Sequence, residues 1–305
     1  MKNPRDIPMW VWQLGMLSCA IIWGGSFVII KGSLDVAPAC WLMTVRFLIA
    51  TVVMCIIFRK RLRENFDGSH LLSGALIGIL YGAGFSVQNV GLTYTTPGRN
   101  AFLTATYCVL VPFANWAISR KRPGPTSVVA AFLCIVGIAF ISLGDDLRPS
   151  LGLGEWLSLL SSVFFSIQIV FVDRFARAHD MITLSIVQLA FMSLTCWAFS
   201  LALGEQAPDL ATLGPSFWAS LAYLAILSSI VTTLIQNVGQ TVVPPAQSAL
   251  LLSLESVFAV IASVLFMGEQ LTVQLVTGFA LVFAGVLVSE LGPMLLARRR
   301  ALEQG

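Results

Sequence analysis

The sequence predicts an all-α integral membrane protein whose ten transmembrane helices form two inverted five-helix repeats. Three observations predict this fold. Ten apolar stretches are each long enough to cross a bilayer, basic residues concentrate in alternate loops, and a polar tetrapeptide that begins at Gln88 recurs at Gln236. Lipid admits only helices or closed barrels, and one helical crossing needs about 20 apolar residues.

The composition of the 305-residue chain excludes a soluble globule. The chain is 57% hydrophobic and 11% charged, whereas soluble domains carry about 25% charged residues because their surfaces face water. Ten crossings leave only short connections, which predicts one compact membrane domain. No small-residue cleavage site follows the first stretch, so we expect a retained helix and not a signal peptide.

The ten apolar stretches are separated by charged or proline-containing segments. Clear breaks occur at 35–38, 59–70, 120–123, 145–155 and 244–245. In chain order, the predicted spans are 12–31, 39–58, 71–91, 99–119, 126–143, 152–172, 182–203, 216–239, 247–267 and 272–290.

The distribution of basic residues predicts the orientation. If the N-terminus is cytoplasmic, fourteen basic residues fall on the inner side and three on the outer side (Lys31, Arg99 and Arg148), with Arg46 left inside a span. Positive charge favours the cytoplasmic side. We therefore expect a multi-pass protein of the cell (inner) membrane with both termini in the cytoplasm, which requires an even number of spans.

The chain contains an internal repeat. The sequence Gln-Asn-Val-Gly at 88–91 recurs at 236–239, and the same offset (236 − 88 = 148) relates further residues without a gap. They include Thr93 and Thr241, Pro97 and Pro245, Leu103 and Leu251, and Gly137 and Gly285. We divide the chain into halves at 1–146 and 147–305. Each half holds five spans, and because five is odd the second half enters the membrane upside down. Inverted repeats are typical of secondary transporters, which bind substrate between the halves.

With these features the sequence resembles the drug/metabolite transporter superfamily, in its ten-helix EamA-type branch. The resemblance covers both halves in order, and two positions depart from the family pattern, Arg99 and Ser256. It implies a five-plus-five carrier of the inner membrane that exports amino acids or other small metabolites. The motifs that carry it are 23–27 (WGGSF), 46–48 (RFL), 94–97 (YTTP) through Tyr107, 111–112 (VP), 253–259 (SLESVFA) and 268–272 (GEQLT).

Two charged residues lie inside predicted spans. A charge at the bilayer centre costs about 2.5–3.5 kcal/mol on insertion scales, so it usually has a partner or a role. We expect Arg46 and Glu255 to face a shared polar cavity, where Glu255 binds an amine or a coupling proton. The alternatives are a structural ion pair between them, or Arg46 reaching to the outer interface.

Three further residues are candidates for substrate binding. The repeat maps Tyr107 onto Glu255, a position expected to approach the pseudo-twofold axis. Trp23 and Gln168 occupy comparable places in the first and sixth spans. Their aromatic and amide groups suit amphipathic organic substrates, although ordinary helix packing also explains Tyr107 and Trp23.

The duplicated tetrapeptide supplies four gate candidates: Gln88, Asn89, Gln236 and Asn237. If the halves are inverted, the first copy ends a span on the outer side and the second copy ends one on the inner side. The two copies then form matching gates. Helix termination by Asn and Gly before Pro97 and Pro245 is the simpler alternative.

Other functions are less consistent with the sequence. It has no phosphate-binding loop and no catalytic histidine or serine motif, so we expect neither an enzyme nor a bound cofactor. Six scattered cysteines form no metal motif, and the net charge of +3 follows from topology signals and not from nucleic-acid binding. The expected partners are the bilayer and a small-molecule substrate, with proton coupling compatible with Glu255, in a monomer or a homodimer. A lipid flippase or scramblase is the nearest alternative, followed distantly by a channel or a membrane-embedded enzyme.

Overall fold

The computed structural model describes residues 7–120, 122–142, 151–175, 178–239, 241–243 and 251–303, and these residues form helices and short connections without any strand. The boundary between 146 and 147, Pro245 and the start of the predicted ninth span at 247–250 lie outside them. The helices are α1 Met9–Ser33, α2 Ala39–Ile57, α3 Arg59–Asn65, α4 Gly68–Thr93, α5 Pro97–Ala105, α6 Tyr107–Ser119, α7 Pro125–Ser142, α8 Leu153–Phe175, α9 Met181–Ala202, α10 Pro215–Ala222, a π-helical segment Tyr223–Val231, α11 Thr232–Gly239, α12 Glu255–Met267 and α13 Val273–Glu303.

The lengths and the exposed surfaces of these helices are those of an integral membrane protein. Within the described residues, seven helical stretches are long and apolar enough to cross a bilayer, and three shorter apolar helices cover Pro125–Ile141, Leu251–Met267 and Val273–Ser289. Large apolar side chains face outward, such as Phe266 with 76% and Val273 with 80% of their surface exposed. Such exposure is stable in lipid and not in water.

Helix packing follows a reciprocal pattern. Helix α4 packs against α8 and α9, while the continuous stretch Pro215–Gly239 packs against α1 and α2. In the same way, α12 packs against α1, and α5 and α6 pack against α8. Helix α7 packs along α13, and this pair also contacts α5 and α6.

The α7–α13 pair is antiparallel and closely packed. Cys134 Sγ lies 3.7 Å from the Val282 carbonyl oxygen. A Cβ atom added to Gly278 would lie 2.8 Å from the Gly137 oxygen, and one added to Gly285 would lie 3.0 Å from the Ala130 oxygen. Residue numbers therefore rise along one helix as they fall along the other, and glycine permits the close approach.

A network of hydrogen bonds and an ion pair ties several helices together at one end of the molecule. Lys31, near the end of α1, donates to two carbonyl oxygens: that of Leu92 in the last turn of α4, at 2.6 Å, and that of Thr95 just after α4, at 3.0 Å. Thr95 Oγ1 donates to Glu155 Oε1 at 2.6 Å, and Arg99 Nη1 lies 3.7 Å from the same oxygen near the start of α8. We call this the Lys31 end.

A second cluster lies at the opposite end, where α4 and α9 begin. Arg61 Nε donates to Asp180 Oδ2 at 3.0 Å, and Asp180 is the N-cap of α9. His70 Nδ1 lies 2.8 Å from Asp67 Oδ1, and the rings of His70 and His179 meet with centroids 4.7 Å apart. We call this the Arg61 end.

The two copies of the tetrapeptide lie at opposite ends. A Cβ on Gly91 would meet the Gly154 oxygen at 3.0 Å, at the Lys31 end. A Cβ on Gly239 would meet Met16 at 2.9 Å and Trp12 at 3.3 Å, near the start of α1 and thus at the other end.

The structure contains the predicted span at 99–119 as one candidate span, Pro97–Ile118, and a one-residue turn at Thr106 divides it into α5 and α6. The hydroxyl of Thr106 donates to the Leu103 oxygen at 2.6 Å, and such local bonds compete with helical ones. Leu254 occupies the equivalent place before α12, with φ −62° and ψ −12° against −59° and −13° at Thr106.

Candidate functional site

A cavity of about 140 Å³ lies among the helices. It is large enough for several water molecules, since one needs roughly 10–15 Å³ by the same measure. All five predicted substrate-binding candidates line it: Trp23, Arg46, Tyr107, Gln168 and Glu255. They come from five different helical elements, so the fold brings together residues that are far apart in sequence.

Tyr107 and Glu255 touch each other in the cavity wall. Tyr107 Oη donates to Glu255 Oε1 at 3.3 Å, and both side chains are buried. Each is the first residue of its helix, directly after the breaks at Thr106 and Leu254. The two positions that the repeat equates therefore meet.

Arg46 is buried, with 1% of its surface exposed. Its Nε donates to Ser229 Oγ at 2.8 Å, and its Nη2 donates to the Ser228 carbonyl oxygen and to Ser228 Oγ, both at 2.9 Å. No carboxylate among the described residues forms an ion pair with it. In the structure, therefore, Arg46 does not form an ion pair with Glu255, and its side chain does not reach the interface.

The π-helical segment Tyr223–Val231, which the sequence did not predict, positions Arg46. The Ser228 carbonyl oxygen also accepts hydrogen bonds from Trp23 Nε1 at 3.1 Å and from Thr232 Oγ1 at 3.0 Å, while Ser228 Oγ accepts from Ser26 Oγ at 2.7 Å. Wide π-turns recur at functional sites because they redirect backbone groups. The only sequence signal is a run of hydroxyl residues, 228–229 and 232–233, inside an apolar stretch.

Trp23, on α1, lines the same cavity as the two charged residues Arg46 and Glu255. Its indole N–H also donates to Thr232 Oγ1 at 3.1 Å. The next residue, Gly24, lies so close to α12 that an added Cβ would be 2.9 Å from the Glu255 carbonyl oxygen. The WGGSF motif therefore positions an aromatic side chain in the cavity and brings α1 against α12.

Aromatic rings that sequence reasoning missed form much of the remaining wall. Tyr81, Phe85 and Phe165 line the cavity. Their ring centroids lie 4.9 to 5.4 Å apart, in tilted and edge-to-face arrangements, as aromatic clusters prefer. Ring packing of this kind has no motif, so it could not be read from the sequence.

The four gate candidates separate into two types. Gln88 and Gln236 line the cavity. Asn89 Nδ2 donates to the Phe85 oxygen of its own helix at 2.7 Å, and Asn237 Nδ2 donates to Ser185 Oγ at 2.6 Å. The glutamines face the cavity, and the asparagines serve helix packing.

The two ends of the cavity differ in the described part of the chain. At the Lys31 end, Glu269 caps the N-terminus of α5, where it accepts from Thr96 Oγ1 and from the Gly98 N–H at 3.1 Å. At the other end the wall includes Asp173, which is exposed. Arg99 is paired with Glu155 outside the cavity, consistent with an interfacial charge.

The fold and the cavity of mixed polar and aromatic lining define a multi-pass helical membrane protein with a candidate binding site among its helices. The EamA-like transporter family model matches residues 10–143 and again residues 152–291. The chain belongs to the EamA-like transporter family. The resemblance seen in the sequence motifs is thereby confirmed, and the two matches fall one in each half.

Curated relatives carry transporter names. The chain is 30% identical over 278 residues to an uncharacterized transporter of Archaeoglobus fulgidus, covering 91% of this chain and 85% of that one. It is 27% identical to the uncharacterized inner membrane transporter YedA of Escherichia coli K12, over 88% of this chain and 87% of the relative. These names indicate a transporter and not an enzyme.

A solved crystal structure shares the fold. It aligns with a TM-score of 0.65 at 19% sequence identity and covers 95% of this chain and 98% of that one.

Proposed function

We propose that the protein is a secondary transporter that moves small metabolites through the central cavity by alternating access. Residues 1–146 and 147–305 are its two inverted five-helix halves. The observation that carries the proposal is the convergence of five separate polar or aromatic side chains on one cavity, with the repeat-related pair Tyr107 and Glu255 in contact.

The packing of α7 on α13 supports the inverted relation. Gly137 is equivalent to Gly285 in the repeat, and Ala130 is equivalent to Gly278. The repeat therefore converts the contact between Gly137 and Gly278 into the contact between Gly285 and Ala130. Cys134 and Val282, which are also in contact, are equivalent to each other. Such reciprocal pairing marks a twofold axis. Because the helices are antiparallel, that axis runs across them, as inverted repeats require. The opposite positions of the two tetrapeptides agree with this.

Orientation and direction complete the proposal. The basic residues of α3 at the Arg61 end support a cytoplasmic location of this end, with both termini on that side of an inner membrane. The cavity, whose described wall reaches Asp173 at this end, is suited to receive metabolites for export. Gln88 and Gln236 then act as outer and inner gate residues.

The cavity side chains suit amphipathic metabolites. The aromatic rings stack on apolar groups, Gln168 and Trp23 orient polar ones, and Glu255 binds an amine or a coupling proton. The hydrogen-bonded Lys31 end and the cavity whose wall reaches Asp173 fit one state of such a cycle.

A resistance screen followed by counterflow tests the proposal. Cells that overproduce the protein are challenged with toxic metabolites and analogues, and a protective activity identifies a substrate. In proteoliposomes, unlabelled internal substrate should drive transient accumulation of labelled external substrate. Glu255→Gln should abolish or alter this activity and its pH dependence, while Glu64→Gln on exposed α3 should not.

Three results would contradict the carrier. Flux without counterflow indicates a channel, transbilayer movement of labelled lipid indicates a flippase or scramblase, and chemical conversion of the substrate indicates an enzyme. Full activity of Glu255→Gln with an unchanged pH profile would remove Glu255 from the mechanism.

A further inference from the structure

Arg46 is a buried cation that lacks a counter-charge in the described part of the chain. An uncompensated buried charge is strongly unfavourable, and in a membrane core it persists when a function retains it. The two closest aromatic rings, Phe47 and Phe85, lie 5.1 and 5.6 Å from its guanidinium carbon. Rings of this kind attract a cation but do not neutralise it.

The hydrogen bonds of Arg46 leave one side of the guanidinium group for a ligand. Of its five N–H donors, Nε and Nη2 direct three at the oxygens of Ser228 and Ser229. Nη1 meets the Met43 sulfur at 3.8 Å, a weak acceptor. The π-helical segment thus fixes the guanidinium group of Arg46, which lines the cavity. A side chain that is already fixed loses little conformational entropy when a ligand binds to it.

From this geometry we infer that Arg46 is an anion-binding residue and that the transported molecule carries a single carboxylate. This rests on the proposed transport function and assigns its substrate class. A carboxylate oxygen can accept a charge-assisted hydrogen bond from the Nη1 N–H groups, whose other contact is the weak acceptor sulfur of Met43. A doubly charged group such as phosphate is disfavoured, because the Glu255 carboxylate lines the same cavity and repels added negative charge when ionised. The aromatic walls favour an apolar or aromatic body attached to the carboxylate.

Matched ligand pairs test the inference on the purified full-length protein. The probes are 3-phenylpropionate against 3-phenylpropionamide, phenylalanine against phenylalaninamide, and inorganic phosphate, each titrated by thermal unfolding. The carboxylates should stabilise the wild type and bind at least about tenfold more tightly than their amides, since a hydrogen bond to a charged group is lost. Phosphate should bind more weakly than either carboxylate.

Variants locate this selectivity. Arg46→Gln should remove the preference for carboxylate over amide, whereas Arg63→Gln on exposed α3 should keep it. If Arg46→Gln does not fold, the comparison in the wild type still tests the anion site, because amides that bind as tightly as their carboxylates would overturn it. Equal binding of amides, equal binding of phosphate, selectivity that survives in Arg46→Gln, or no stabilisation by any carboxylate would each overturn the inference.

Counterflow separates this failure from failure of the transport function. Counterflow that occurs only with molecules lacking a carboxylate would keep the carrier and reject the anion site. Arg46-dependent binding of carboxylates without any counterflow would keep the anion site and reject the carrier.

Discussion

At the residue scale, the two intramembrane charges are held in different ways. Arg46 is held by oxygens of the π-helical segment, and Glu255 accepts one hydrogen bond from a tyrosine. Neither forms an ion pair with the other. Because ionisable groups buried without mutual compensation are costly for stability, we propose both as binding groups.

The tyrosine bond gives a direct prediction. Tyr107→Phe removes the hydroxyl that donates to Glu255 and should lower the free energy of unfolding by about 1–2 kcal/mol, because a buried acceptor loses its donor. Reversible denaturation in detergent measures the loss. Tyr94→Phe is the matched control, since Tyr94 is 63% exposed. Equal effects of the two substitutions would show that the bond contributes nothing.

A second residue-scale prediction concerns Asp180 at the start of α9. Burial acts to raise the pKa of its carboxyl, but hydrogen bonds from Arg61 and Thr183 and the Arg61 charge bring that pKa below its ordinary value. A lowered pKa in the folded state means that the charge stabilises the fold above about pH 4 and that this contribution disappears as the pH falls further. Asp180→Asn keeps one oxygen as the N-cap acceptor for Thr183 and removes both the charge and the second oxygen, which accepts from Arg61.

We therefore expect Asp180→Asn to cost about 1 kcal/mol at pH 7, through the lost ion pair and helix-dipole interaction. The difference from wild type should shrink below about pH 4. Unfolding free energies at pH 7, 5 and 3 measure it, with exposed Asp35→Asn as control. A cost that stays constant down to pH 3 would contradict the electrostatic explanation.

At the element scale, the repeat is visible in the backbone itself. Helices α6 and α12 each have 13 residues, and each ends on a left-handed residue, Arg120 with φ 59° and Gly268 with φ 65°. The two positions are equivalent in the repeat. One half uses glycine, which adopts this conformation freely, and the other accepts it with a side chain.

Gly268→Ala should therefore lower the free energy of unfolding by about 1 kcal/mol through backbone strain alone. No atom lies within 4 Å of an added Cβ there, so steric contact plays no part. Gly32→Ala is the matched control, because its Cβ also meets open space but its φ is not positive, and it should be neutral or stabilising. Similar losses at both positions would contradict the strain.

The elements could be predicted from sequence to different degrees. The long apolar helices were predictable because a bilayer imposes a length of about 20 apolar residues. The break at Thr106 was not, because the same backbone turn recurs at Leu254, which has no hydroxyl, and neither residue type signals a break in an apolar helix. The π-helical segment was missed for a similar reason, because serine in an apolar helix usually bonds its own backbone and gives no sign of a wider turn.

Some of the cavity residues could be predicted from the sequence and others could not. Arg46 and Glu255 stand out in the sequence because charges are rare in spans, and the repeat pointed from Glu255 to Tyr107. Ser228, Phe85 and Phe165 could not be selected, since serine and phenylalanine are ordinary residues of membrane helices. Only the fold shows which of them face the cavity.

At the scale of the whole molecule, the proposed transport cycle depends on two halves that run through the membrane in opposite directions. The repeat-related residues Thr93 and Thr241 report this directly. Both are exposed, and in each the hydroxyl donates to the carbonyl oxygen three residues earlier, at 2.6 Å to Val90 and 2.7 Å to Val238. Each follows its copy of the tetrapeptide, one at the Lys31 end and one at the opposite end.

Labelling of single cysteines at these two positions shows whether the two halves are inverted. Thr93→Cys and Thr241→Cys are introduced separately into a chain whose six native cysteines are replaced, and intact cells are treated with a membrane-impermeant thiol reagent. We predict that Thr93→Cys reacts in intact cells and that Thr241→Cys reacts only after the membrane is permeabilised. Labelling of both positions from the same side would contradict the inverted halves and with them the proposed transport cycle.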